Sequence, residues 1–116
     1  MLRDRLGSFV FAFRGLRFLF VNEHNARLHL LATMVVLLAG GILGVTANEW
    51  LWIVVAVGSV WFAEAINTAI EQLANAVTTD HDPRIGAAKD VAAAAVLICS
   101  LVALIIGLVI FVPRLM

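Results

Sequence analysis

The chain has 116 residues, of which 63% are hydrophobic and 14% charged, with 8 basic residues against 8 acidic. A soluble domain of this size has about half its residues apolar and about a quarter charged, so the surplus exceeds what so small a core can hold and lipid must solvate much of the chain. Balanced charge and just two prolines exclude the composition of a nucleic-acid-binding or disordered protein, and a single cysteine, Cys99 in an apolar run, excludes an internal disulfide framework.

The first element is a helix. Phe9, Phe11, Phe13, Leu16, Phe18 and Leu19 alternate with Arg3, Arg5, Arg14 and Arg17, and no uninterrupted apolar stretch precedes a cleavage site, so the segment does not read as a signal peptide. An amphipathic surface helix over about 4–22 fits better, with phenylalanines in the acyl boundary and arginines among headgroups.

Three longer runs follow. Residues 28–45 and 91–112 carry no Asp, Glu, Lys or Arg, and residues 50–63 continue into a mixed stretch up to position 73. A bilayer core needs about 20 apolar helical residues, which predicts three spans over about 26–45, 49–76 and 87–112. The fold expected is all-α and membrane-integral, a single domain of residues 1–116 with three transmembrane helices and an N-terminal surface helix.

Gly44 is expected to end the first span and Asn48 to cap the second, with Glu49 in its first turn. The Asp82-Pro83 pair predicts a connector over 78–84 before the third span. Seven cations, Arg3, Arg5, Arg14, Arg17, Arg27, Arg84 and Lys89, lie on one side of the spans and Arg114 alone on the other. That bias puts the N-terminus and the 77–90 loop in the cytoplasm, with Trp50 and Trp52 marking the outer interface.

The second span is anomalous because it carries acids. Glu64, Asn67, Glu71 and Asn75 recur at i, i+3, i+7 and i+11. At 100° per residue they keep within an arc of about 80° and form one polar stripe. A carboxylate in hydrocarbon costs about 2.5 kcal/mol or more, so Glu64 marks a functional path. The more deeply placed Glu64 suits a general base taking a proton from a hydroxyl. Glu71, nearer water, suits a hard cation such as Mg²⁺, and Glu23 at the start of the first span reaches the same depth. Together Glu23 and Glu71 can hold a metal that bridges nucleotide phosphates, or the polar pairs merely fix helix register.

Lys89 and Asp90 are expected at the start of the third helix, where free N–H groups and the dipole favour an anion. Lys89 can neutralise a phosphate, and Asp90 either caps that helix or orders Lys89 or a nucleotide. His81, between Asp80 and Asp82, faces solvent or a nucleotide. His24 and His29 are five apart, off a common helix face, and complete no zinc pattern. Neither a Walker sequence nor a Gly-x-Ser-x-Gly occurs.

Three segments carry a resemblance to a known family. Asn22-Glu23, then Glu64-Ala65-Ile66-Asn67-Thr68-Ala69-Ile70-Glu71, then Ala88-Lys89-Asp90-Val91 and the alanines after it resemble the prokaryotic diacylglycerol kinase and undecaprenol kinase family, as does Phe-Arg-Gly-Leu-Arg at 13–17. The resemblance implies a small lipid kinase of the bacterial inner membrane that transfers phosphate from Mg-ATP to undecaprenol or diacylglycerol, as a homotrimer whose active sites are shared between subunits. It also implies Glu64 as catalytic base, Glu23 and Glu71 as carboxylates of the Mg-ATP site, and Lys89 and Asp90 as nucleotide contacts. Asp80, His81 and Asp82 match the loop that approaches the nucleotide, and Asn67 an active-site polar residue. Asn75 replaces a frequent family aspartate, and the chain has no tyrosine to match one in the N-terminal helix. The segments 25–29 and 91–96 resemble the undecaprenol branch. The rival expectation is a small proton-coupled carrier built on Glu64; against it, the charged groups gather at one interface and form no relay.

Overall fold

The computed structural model describes residues 1–116 as four helices: α1 Leu2–Asn22, α2 His24–Leu43, α3 Ala47–Val77 and α4 Pro83–Leu115. The last three are long and apolar enough to cross a membrane. At 1.5 Å per residue, α2 is about 30 Å long, whereas α3 and α4 reach about 46 and 50 Å. The two long helices therefore overhang α2 at one end of the bundle, called the loop end here after the 78–82 connector between them. The opposite end, with residues 44–46, is the turn end.

Gly44 closes α2 in the left-handed conformation, φ 65°, the one backbone position where a side chain would be strained. The cap of α3 is Thr46, not Asn48. Thr46 Oγ1 accepts from the Glu49 N–H at 3.2 Å while Glu49 Oε1 accepts from the Thr46 N–H at 2.9 Å, a reciprocal capping box that leaves Asn48 inside the helix. Glu49 also pairs with Arg114, which ties the start of α3 to the end of α4. Trp50 is half-buried at the turn end. It packs on Val45, Ile53 and Ile110, the buried cluster of the turn end, and a Cβ on Gly40 would lie 2.6 Å from its Cη2.

At the loop end the connector is shorter than the sequence suggests. Asp82 caps α4, accepting from the N–H groups of Arg84 at 2.9 Å and Ile85 at 3.4 Å, and Pro83 takes the first helical position, where it has no N–H to leave unpaired. Proline thus starts the helix instead of delaying it. α4 packs along α3, α2 packs chiefly on α3, and α1 meets α2 and α3 near its C-terminal end, where Leu19 is buried.

α1 breaks at Glu23, whose backbone is extended. Arg27 satisfies the carbonyls left open by the break, donating to Val21 O at 2.7 Å and Phe20 O at 3.4 Å. Along α1, Phe9, Phe13 and Phe20 share a face, but Phe11 and Phe18 lie on the opposite one, so apolar and polar residues are incompletely segregated.

Candidate active site

α3 carries the polar stripe into the bundle. Glu64 is 1% exposed, Asn67 7% and Thr68 4%, so one turn and a quarter of an apolar helix buries three polar side chains. Their spacing explains the burial: i, i+3 and i+4 share the face that α1 and α2 cover. Each also keeps an unpartnered atom, Glu64 Oε2, Asn67 Oδ1 and Thr68 Oγ1. Buried polar groups are nearly always paired, so three orphans side by side mark a place built to receive polar groups from outside the chain.

Glu71 continues the stripe, half-buried, and its Oε1 accepts a 3.4 Å hydrogen bond from Asn67 Nδ2. Glu23 reaches the same region from the α1–α2 break. It precedes α2 without capping it, so its carboxylate stays free beside a positive helix end. Glu71 lies seven residues, about 10 Å, beyond Glu64 along α3, and Glu23 stands at the break six residues before His29.

His29 comes to 3.3 Å from Glu64, Nε2 to Oε2, off the axis of a hydrogen bond. The imidazole edge faces Trp61, with ring centroids 6.3 Å apart, and Trp61 packs on Phe20 at 5.1 Å. Trp61 Nε1 donates to Thr33 Oγ1 at 3.0 Å, and that hydroxyl donates to His29 O at 2.7 Å. One network therefore links α1, α2 and α3 around Glu64. Sequence reasoning passed over His29 and Thr68. The missing signal for His29 was depth: it lies 14 residues before the end of α2 and Glu64 lies 17 after the start of α3, about 21 and 26 Å from the turn end.

A second polar group forms at the loop end. Asn75, Asp80, His81, Asp82 and Lys89 line a cavity of about 300 Å³. Lys89 Nζ donates to Asn75 Oδ1 at 2.6 Å. Neither Lys89 nor Asp90 sits at a helix start; they are the seventh and eighth residues of α4, so Lys89 acts as a side-chain cation without free backbone N–H groups, and Asp90 is exposed and caps nothing. Lys89 meets α3 at Asn75, eleven residues and about 16 Å along the axis from Glu64. Lys89 therefore does not touch Glu64 of its own chain, and Glu71 stands between them, about 6 Å before Asn75 along the axis.

Glu23 and Glu71 are hard oxygen donors without other strong partners, and no cluster of three metal-ligating side chains occurs in the chain. That pattern fits Mg²⁺, which takes one or two carboxylates and completes its shell from water and phosphate.

Such a chain is a small helical membrane protein with one acid, Glu64, buried inside its bundle, a class that contains both carriers and enzymes. The sequence decides between them: residues 10–111 match the prokaryotic diacylglycerol kinase family, and the chain belongs to it. Membership makes it a lipid kinase and disfavours the carrier. It is 39% identical over 108 residues to an undecaprenol kinase of Bacillus subtilis, covering 93% of this chain and 88% of the relative. It is 30% identical over 112 residues to a diacylglycerol kinase of Synechocystis, covering 96% of this chain and 64% of that relative.

Proposed function

We propose that the chain uses Mg-ATP to phosphorylate the hydroxyl of a membrane lipid, with Glu64 as general base. The observation that carries this is a carboxylate 1% exposed in an apolar helix, beside two further orphaned polar groups. The alcohol's proton passes to Glu64 as its oxygen attacks the γ-phosphorus, and the bond to ADP breaks with its electron pair leaving on ADP. Glu23 and Glu71 hold Mg²⁺, which when bound neutralises charge on the phosphates. Asn67 orients Glu71 through its amide. Lys89, with Asp80, His81, Asp82 and Asp90, receives the nucleotide at the loop end, where seven of the eight cations gather if the N-terminus and the loop are cytoplasmic. α1 lies on the cytoplasmic membrane surface, with Phe9 and Phe13 in the acyl boundary. The whole chain is one domain, and three copies assemble with composite sites.

Undecaprenol is the favoured acceptor, because the undecaprenol kinase relative matches at higher identity and over more of its length than the diacylglycerol kinase. Purified protein in mixed micelles with labelled ATP, Mg²⁺ and either undecaprenol or diacylglycerol tests this. Transfer to undecaprenol above diacylglycerol is expected, and transfer to neither refutes the assignment. Glu64→Gln is expected to abolish turnover while preserving assembly; an unaffected rate removes Glu64 as the base.

A further inference from the structure

Glu64 is buried deep in an apolar helix, and a buried carboxylate needs a donor. Its own helix makes no such bond: the Asn67 amide donates to Glu71, and the Thr68 hydroxyl, one turn on, has no partner. The nearest donor from elsewhere is His29, 3.3 Å away on α2. That residue is also unusually well held. Its backbone carbonyl takes the Thr33 hydroxyl, which in turn accepts from the Trp61 indole, and the indole edge stands against the imidazole.

We propose that His29 is a positioning residue for the lipid-kinase reaction: its Nε2–H holds one oxygen of Glu64 and leaves the other aimed at the acceptor hydroxyl. This rests on the lipid-kinase reading with Glu64 as base. With Glu64 ionised, as a base must be, the nitrogen facing it carries the proton, because only then is the contact attractive. Trp61, packed against the imidazole and held by Thr33, limits the ring's motion and so holds the carboxylate at one orientation. A general base displaced from its near-attack position loses rate without losing substrate affinity. His29 therefore acts through Glu64 and touches neither nucleotide nor metal.

The test compares wild type, His29→Leu and His29→Gln in the mixed-micelle assay with undecaprenol and Mg-ATP. His29→Leu is expected to lower kcat at least tenfold with KM for lipid and ATP within twofold, and His29→Gln, whose amide retains a donor, to recover most of the loss. Equal kcat in wild type and His29→Leu overturns the role of His29 alone, as does failure of Gln to exceed Leu. A wild type inactive on both lipids overturns the lipid-kinase reading and this role with it. A second measurement needs no activity: ¹⁵N-histidine NMR of wild type and Glu64→Gln. A protonated Nε2 at His29 whose resonance moves on Glu64→Gln is expected. A resonance that stays fixed, or protonation at Nδ1 only, overturns the proposal.

Discussion

Glu71 and Thr68 sit one turn apart on α3 and call for opposite expectations. Glu71 is half-buried and bonded only by the Asn67 amide, so its charge is available to a cation. Replacing it by Gln preserves shape and removes the charge. The expected result is a loss of about 1.5–3 kcal/mol in Mg-ATP binding, about ten- to a hundredfold in Kd, read by nucleotide titration with the thermal midpoint nearly constant. An unchanged titration refutes Glu71 as a metal carboxylate. Thr68 is the reverse case, a hydroxyl 4% exposed with no partner inside the chain. Thr68→Val keeps the volume and removes the orphan, so in the monomeric chain it stabilises by up to about 1 kcal/mol. A lower melting temperature in the assembled enzyme would show instead that a second subunit or a lipid supplies the missing partner.

Helix ends and helix contacts set where these side chains stand. Asp82 caps α4 through two N–H groups, and Asp82→Ala is expected to cost about 0.5–2 kcal/mol and to fray the first turn, measured by thermal melts in detergent. At the other end, a methyl on Gly40 meets the far ring of Trp50 at 2.6 Å, while one on Gly41 meets nothing within 4 Å. Gly40→Ala should therefore destabilise by about 1–3 kcal/mol, Gly41→Ala should not, and Trp50→Phe, which removes the far ring, should relieve most of the first loss. Additive effects of Gly40→Ala and Trp50→Phe would contradict the contact. These same places show what a sequence can and cannot reveal. Gly44 was legible because φ above zero demands glycine. The caps were not, since Thr46, Asn48 and Asp82 are all good capping residues and only the backbone path decides which one stands first. Lys89 and Asp90 were accordingly expected at a helix start and lie two turns inside one.

Across the molecule, the polar stripe of α3 was legible from spacing and the polarity of its burial from the cost of charge in hydrocarbon, whereas the partnership of α2 with that stripe depended on matching depths in an antiparallel pair. The same depth arithmetic bears on assembly. Glu64 and Asn75, the partner of Lys89, lie about 16 Å apart along α3, so Lys89 does not touch the base of its own chain. α4 buries only Ala92 and Ile110 against the rest of the chain, which leaves most of its length for lipid or a neighbouring subunit. The proposed homotrimer would join the two halves if one subunit's Glu64 faces the next subunit's Lys89. Subunits carrying Glu64→Gln alone or Lys89→Met alone are then inactive, yet each supplies what the other lacks. Random reassembly of equal amounts makes about a quarter of the sites whole, because each site draws on two independently chosen subunits in a closed symmetric ring. Regain of about a quarter of wild-type activity on mixing, with none in either parent, is the expected outcome; no regain after verified subunit exchange would confine each site to a single chain.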